Sequence, residues 1–244
     1  MLKKVTVIII ILTTFSILWS NIEVDIESGA IFTGYNDIRI PGDQGTRFSL
    51  KDDLKTDVDI YFRSRLIYHF NPKHHISLLY APLNLTATGK VDRDLNYQGK
   101  IFQANSNLKS TYKFNSYRIS YRYDFIRKTD ITFGMGFTAK IRDATISLEN
   151  NDKKAKKENV GFVPILNFKF NWKMNEKFRI IFEGDALAAP QGRAEDIALN
   201  LHYLLNENLG CRIGYRVLEG GADNDEVYTF SLFHYIALGL SYQF

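Results

Sequence analysis

A histidine and a serine stand two positions apart in the segment His75-Ile76-Ser77. In a β-strand, residues at this spacing share a face, so the imidazole would lie beside the hydroxyl. Such a pair can activate a serine nucleophile when a third group, a carboxylate or an amide, orients the imidazole. No third group stands nearby in the sequence, so a pair of polar interior side chains is the simpler interpretation.

Two carboxylates share a face at Asp57-Val58-Asp59. A histidine opposite them would complete a site that activates water by general-base catalysis. Of the five histidines, His69, His74, His75 and His202 lie close to tight polar turns, far along their segments from this position, and His234 stands alone. We therefore expect a structural His234 and no hydrolytic site.

The sequence gives weaker evidence for a metal site or an anion site. His74 and His75 are adjacent, so in a strand they point to opposite faces and cannot share one metal ion. The acidic segment 220–226 offers oxygen ligands of the kind that Ca²⁺ prefers, and the lysine-rich run 150–159 offers cations for phosphate groups. We interpret both segments as solvated loops, and we predict no metal and no cofactor.

The elements that position these residues are β-strands, because apolar residues recur with a period of two and no long window has the helical period of 3.6. In the last segment, Ile236, Leu238 and Leu240 share one face, and Ala237 and Gly239 share the other. The same reading predicts ten strands, at residues 22–35, 57–70, 74–89, 108–126, 131–149, 160–174, 178–188, 195–205, 209–218 and 227–244.

The connections between these strands alternate in length. Those after even-numbered strands are tight and polar, whereas those after odd-numbered strands are mostly longer and rich in glycine or charge, at 36–56, 90–107, 150–159, 189–194 and 219–226. Aromatic residues gather near the tight turns. Both features favour a ten-stranded antiparallel transmembrane β-barrel with short periplasmic turns and longer extracellular loops, with apolar side chains facing lipid. A secreted soluble barrel, with apolar side chains inside, is the alternative.

The first twenty residues have the build of a secretory signal peptide. Lys3 and Lys4 precede an uncharged apolar stretch at 5–19, and Ser20 offers a small residue for cleavage. Residues 21–244 then form the barrel domain, with 29 basic and 27 acidic residues. This near-balance does not indicate a nucleic-acid partner. Cys211 is the only cysteine, which excludes an intramolecular disulfide.

Charged residues of both signs lie on the polar face of the alternating strands. A buried charge is tolerated when it is paired, so we predict a network of paired charges that fills the narrow lumen. The candidate members are Asp59, Arg63, Arg65, Arg118, Arg122, Asp124, Arg142, Glu183, Asp185, Arg212 and Arg216.

The export signal, the alternating segments and the terminal Leu240–Phe244 stretch resemble Gram-negative outer-membrane β-barrel proteins of the small, eight-to-ten-strand class. Segments 34–48, 183–196 and 220–228 resemble those of an uncharacterised group of such barrels. The resemblance implies an outer-membrane location. It also implies that Tyr242 and Phe244 form the signal read by the barrel-assembly machinery.

Two enzyme groups of this class share short motifs with the chain. His75-Ile76-Ser77 is similar to the His-x-Ser of barrel phospholipases and lipid A deacylases, but here it falls at the periplasmic end, whereas those enzymes act on the outer leaflet. Asp57 and Asp59 resemble half of the acidic set of the omptin proteases, without a histidine at the same rim. The resemblance therefore implies no activity.

We expect a non-enzymatic envelope protein with a structural or surface-interaction role. Its partners would be the outer-membrane bilayer, lipopolysaccharide and, during insertion, the barrel-assembly machinery, and we expect a monomer. Two alternatives stay open. One is a narrow pore for small or anionic solutes, suggested by the excess of basic over acidic lumen residues; the other is a lipid-modifying enzyme of the deacylase or phospholipase type.

Overall fold

The computed structural model describes residues 21–190 and 192–244, and the regular elements of this part of the chain are β-strands. The predicted signal peptide, residues 1–20, lies outside the described residues. No helix within them is long and apolar enough to cross a membrane. The strands are β1 (Ile22–Arg39), β2 (Phe48–Ser49), β3 (Lys55–Thr56), β4 (Asp59–Asn71), β5 (His74–Ala81), β6 (Asn84–Gly89), β7 (Leu95–Tyr97), β8 (Lys100–Phe102), β9 (Leu108–Arg127), β10 (Ile131–Glu149), β11 (Lys154–Lys173), β12 (Phe178–Ala189), β13 (Gly192–Leu204), β14 (Leu209–Asp223) and β15 (Tyr228–Gln243).

Ten antiparallel strand paths close into a barrel in the order β1, β4, β5, β9, β10, β11, β12, β13, β14 and β15. Strands β5 and β6 both pair with β9, so they form one path that is interrupted at Pro82. The barrel closes where β1 pairs with β15, from Glu23 opposite Gln243 to Arg39 opposite Tyr228. Closure pairs the first strand with the last, so neither terminal strand leaves an open edge in the hydrocarbon layer. The predicted fold class is confirmed.

Large apolar side chains cover the outside of the barrel. On β15, Ile236, Leu238 and Leu240 are 49–55% exposed, whereas Tyr235 and Ala237 are buried. Exposed apolar residues recur on the other strands, among them Ile119, Phe137, Phe162, Leu199 and Ile213. Water would penalise so wide an apolar surface, and lipid would not. The faces therefore point as in a membrane barrel, with the polar parity inside.

Aromatic rings gather at the end of the barrel where the strands are joined by short turns. Tyr242 and Phe244 contact edge to face with centroids 4.9 Å apart, and Phe178 lies 4.9 Å from Tyr203. Trp172 is partly exposed at the same end. Such rings favour the boundary between lipid and water. They mark this end as one interface of the apolar belt.

The opposite, outer end holds a plug, which we define as segments 40–58 and 90–107 packed inside the barrel. Its apolar side chains form one cluster with the inner wall, and Phe48, Tyr97 and Phe102 are at most 1% exposed. The hydroxyl of Tyr97 donates to the carbonyl of Ile146 on the wall, at 2.8 Å. The sequence indicates these segments as loops but does not show that they pack inside.

An ion pair joins the two segments of the plug. Arg93 binds Asp53 through two nitrogens, at 2.9 and 3.0 Å. The hydrogen bond from Arg93 lowers the pKa of the Asp53 carboxyl below its usual range, against the opposing effect of burial. The carboxylate therefore stays charged, and keeps its bond to Arg93, to a more acidic pH than an ordinary aspartate would.

Strands at the outer end run further than the apolar alternation predicts. Strand β11 begins at Lys154 and β14 reaches Asp223, so much of segments 150–159 and 219–226 is strand. Cross-strand ion pairs hold these extensions, such as Lys154 with Glu149 at 2.7 Å. Beyond the lipid belt the outer face meets water and not lipid, so the apolar period that lipid imposes is lost while the hydrogen-bonded ladder continues.

Phe102 tests the plug against a matched neighbour. Phe102 is 0% exposed and Ile101 is 43% exposed. Phe102→Ala leaves a cavity in the plug, so we expect it to destabilise the plug by about 3–5 kcal/mol. Ile101→Ala should cost less than about 1 kcal/mol. Limited proteolysis of segment 90–107 in folded barrels measures the difference, and equal cleavage rates in the two variants would contradict the packed plug.

Candidate functional site: the ion network of the lumen

Arg216 on β14 lies at the centre of the lumen with a side chain only 2% exposed. Its Nε donates to Glu27 Oε1 at 2.8 Å, and its Nη1 donates to Asp196 Oδ1 at 2.6 Å. The guanidinium thus joins β14 to β1 on one side and to β13 on the other. Its planar fork presents several donors at once, which suits a site with two carboxylates.

Asp196 receives two further arginines. Arg63 on β4 approaches it at 2.9 Å and Arg118 on β9 at 2.6 Å. Arg118 also contacts Asp185 on β12 at 2.6 Å. Because β9 and β12 are not neighbours in the sheet, this contact spans part of the lumen.

A second set of pairs lies nearer the short-turn end. Arg65 contacts Glu183 at 3.2 Å, and Lys169 contacts the same carboxylate at 3.6 Å. Arg212 donates to Asp25 at 2.9 Å and to Glu27 at 2.9 Å. The two sets form a continuous ion network that crosses the middle of the barrel.

The chemistry of this network is structural. Each of its carboxylates contacts at least one arginine or lysine, and its central members are 8% exposed or less. Satisfied buried charges stabilise one arrangement of the surrounding strands, whereas removing one member leaves another uncompensated. The paired side chains cross the lumen, and the cavity that remains beside Arg65, Glu183 and Arg216 is small, about 20 Å³.

Below the network, a polar cavity opens at the short-turn end. His75 links two groups there: its Nδ1 lies 2.7 Å from His69 Nδ1, and its Nε2 lies 3.0 Å from Asp124 Oδ2. His69 in turn contacts Glu23 at 3.1 Å, and Arg122 contacts Asp124 at 2.8 Å. These residues form a hydrogen-bonded chain along the cavity wall.

These hydrogen bonds decide whether the His-x-Ser motif can act as a catalytic pair. Both ring nitrogens of His75 already have partners in His69 and Asp124, so neither is directed to Ser77. A general base needs a free nitrogen within reach of the hydroxyl proton. The geometry of His75 and Ser77 is therefore that of polar lumen side chains.

Asp57 and Asp59 do not meet a histidine either. Both are exposed at the outer end. Asp59 has the inward parity of β4, which it shares with the buried Tyr61 and Arg63. His234, two strands away, lies on the outward face of β15 and hydrogen-bonds to the hydroxyl of Tyr215. Opposite faces of the sheet separate the carboxylates from this imidazole.

The two polar segments also have internal partners. Lys156 pairs with Glu158 and Lys157 pairs with Glu226, each at 2.9 Å. Asn224 accepts hydrogen bonds from the backbone of Glu226 and Val227, which is a turn stabilised by a side chain. Among residues 21–190 and 192–244, no three His, Cys, Asp or Glu side chains are arranged to hold a metal ion.

The structure brings nine of the eleven candidate lumen residues into the ion network or the cavity below it, and leaves two outside. Asp59 lies exposed at the outer rim, where its carboxylate accepts from the backbone of Ile60. Arg142 binds Asn159 and makes no ion pair in the part of the chain described. Both have inward parity, but both lie above the level at which the charges meet.

Two members of the network, Glu27 and Asp25, were missed by the sequence reading. Their signal is the parity of β1, where Glu23, Asp25 and Glu27 alternate with apolar residues. Asp196, which the sequence places on the polar face of its strand, was not named as a lumen candidate, although it binds three arginines.

At the carboxy terminus, Tyr242 and Phe244 lie at the short-turn end of the barrel. The amide of Phe244 donates to the carbonyl of Ile22 at 2.9 Å, so the last residue joins the seam that closes the barrel. A role for both aromatic residues in recognition by the assembly machinery stays a prediction.

Solved structures of other proteins have a similar barrel. The chain is similar to the outer-membrane protease OmpT of Escherichia coli, with a TM-score of 0.58 and 11% identity over 92% of this chain and 97% of that one. The fold is that of an outer-membrane β-barrel. At this identity the similarity concerns the fold alone.

Two smaller barrels also match. They are Ail of Yersinia pestis, with a TM-score of 0.39 and 11% identity over 92% of this chain and 99% of that one, and Neisserial surface protein A, with a TM-score of 0.35 and 12% identity over 92% and 97%. No protein-family model and no curated protein matches the sequence.

Arg216→Ala tests the central ion pairs. The change leaves Glu27 and Asp196 buried with less compensation, so we expect the free energy of unfolding to fall by about 3–5 kcal/mol. Arg179→Ala is the control, because Arg179 lines the short-turn cavity and makes no ion pair within 4 Å in the described chain. Urea unfolding in lipid vesicles measures both, and an equal, small loss would show that the network does not stabilise the barrel.

Proposed function

We propose that this chain is a non-enzymatic integral protein of the outer membrane, exported by its signal peptide, with a structural or surface-interaction role. The observation that carries the proposal is the closed lumen. The ion network around Arg216 crosses the middle of the barrel, and the plug packs inside the outer end. A barrel closed at two levels is suited to holding a rigid surface in the membrane.

The same observation disfavours the pore. Ten strands enclose a narrow interior, and open aqueous channels need many more strands. The basic residues that suggested anion passage are engaged: Arg63, Arg118 and Arg216 all contact Asp196. An anion in transit would have to displace these carboxylates.

The outer wall supports a surface role. Arg47 lies over the ring of Tyr228 at 4.8 Å, and Arg193 lies over the ring of Phe230 at 4.9 Å. Each arginine also pairs with a carboxylate, Arg47 with Asp37 and Arg193 with Glu219, but both side chains stay 45–55% exposed and can meet anionic head groups. We propose that this face meets lipopolysaccharide.

Planar-bilayer recording tests the closed lumen. We expect no steady conductance from the folded protein, because the ion network and the plug both block the path. An open porin in the same bilayers serves as the positive control, and a gel shift on boiling shows that the barrel is folded. Steady anion-selective conductance would overturn the proposal in favour of the pore.

Lipid profiling tests the absence of lipid-modifying activity. We expect the masses of lipid A and of phospholipids to be the same in cells with and without the protein, since His75 has no nitrogen free to activate Ser77. A deacylated or otherwise altered species that depends on the protein would refute the non-enzymatic role. A Ser77→Ala strain would then show whether this serine is the nucleophile.

A further inference from the structure

Strands β11 and β12 separate in the outer half of the barrel. Their pairing runs from Lys173 opposite Arg179 to Leu166 opposite Ala186, and it ends there although both strands continue. Above this point β11 stays paired to β10 alone, up to Lys154 opposite Glu149. The wall of the barrel therefore has a lateral gap above Leu166.

A proline marks the gap. Pro164 lies two residues beyond the last β11–β12 pair and sits opposite Ala139 in the β10 ladder. Proline has no N–H to donate, and sheets tolerate it on strand edges. The residue at this position is thus compatible with a free edge on the β12 side.

The gap faces lipid. With a rise of about 3.3 Å per residue and a strand tilt of roughly 40°, Leu166 lies about 15 Å above the ring of Trp172 in a belt about 25 Å tall. On β11 above Leu166, Phe162 is 67% exposed and Val160 is 72% exposed. The opening therefore lies at the level of the outer leaflet.

Behind the gap lies a cavity of about 420 Å³, a size typical of small-molecule sites. Val163 of β11 and Leu187 of β12 line it from the two sides of the gap. Phe114, Leu218 and Phe233 line it from further inside. The cavity is lined mainly by apolar residues, as an apolar tail would require, together with the ion pair of Arg193 and Glu219.

One wall of the cavity carries two basic side chains that make no direct ion pair within the described chain. Lys140 is 3% exposed, its Nζ lies 4.9 Å from the ring centre of Phe114, and no carboxylate of the described chain lies within 4 Å of it. Two residues along β10, Arg142 also lines the cavity, and its Nε is buried without a hydrogen-bond partner. The central arginines of the network, by contrast, all contact carboxylates. A buried basic group is stabilised in its charged form when a bound anion contacts it directly.

We propose that the cavity binds a single-chain amphiphile with a carboxylate head, which enters from the outer leaflet between β11 and β12. The apolar tail fills the space beside Leu187 and Phe233, and the carboxylate accepts hydrogen bonds from Lys140 and Arg142. The modest volume of the cavity suits one apolar chain with one acidic head. This site goes beyond the proposed function and does not depend on whether the lumen conducts.

Native mass spectrometry of the full folded chain, titrated with palmitate, hexadecanol and hexadecyl phosphate, tests the site. We expect one palmitate per barrel. Lys140→Gln should weaken palmitate binding about tenfold, since it removes a charged hydrogen bond, and should leave hexadecanol binding unchanged. The variant should keep its fold because no carboxylate within 4 Å loses a partner.

A second variant and a control complete the design. Leu187→Trp fills the cavity and should remove binding of both palmitate and hexadecanol, with folding verified by the gel shift on boiling. Lys157→Gln changes a lysine that pairs with Glu226 outside the cavity, and it should bind palmitate as the unchanged chain does. Equal palmitate affinity in the unchanged chain and in Lys140→Gln, or in Leu187→Trp, would overturn the site. Hexadecyl phosphate binding more tightly than palmitate would overturn the carboxylate assignment.

Discussion

The matching of opposite charges inside a closed barrel is the constraint on which the rest of this structure depends. Arg216 has lost nearly all contact with water, and the carboxylates of Glu27 and Asp196 replace that contact. Each of these residues comes from a different strand, so a satisfied network also determines how the strands are arranged around the lumen. Arg118 extends the effect across part of the lumen, because its partner Asp185 belongs to β12, three strands from β9 around the barrel.

The molecule is layered around this network. Above the network, the interior is apolar and not charged, because the plug packs there with Tyr97 and Phe102 fully buried. Below it the interior becomes a polar cavity in which His69, His75 and Asp124 share hydrogen bonds. On the outside of the barrel, apolar side chains contact lipid and not water at every level of the belt. Lys140, which has no carboxylate of the described chain within 4 Å, lies beside the lateral gap, and for this reason we propose a ligand anion as its partner.

Much of the fold is predictable from local pattern, and the candidate site is less so. The ten strand positions agree with the structure in the belt, where one face must be apolar and the other polar. Agreement fails at the outer end: Glu149 and Lys154 pair across a strand extension that has no apolar period. Among the lumen residues, parity placed Arg63 and Arg216 correctly inside, but it also included Asp59, which lies at the exposed rim. The parity of a residue along its strand predicts which face of the sheet it lies on, but it does not predict its height along the barrel axis.

The sequence by itself determined the class of the fold, because the period of two and the alternation of short and long connections are local properties of the chain. It also determined which side chains face inward. Only the tertiary structure decided which charges meet, since Arg118 and Asp185 stand far apart in sequence on strands that never pair. Their contact depends on the stagger and tilt of the closed barrel, and no local pattern specifies these quantities. The separation of β11 from β12 also depends on the tertiary structure, because a strand has a free edge only where the neighbouring strand turns away from it.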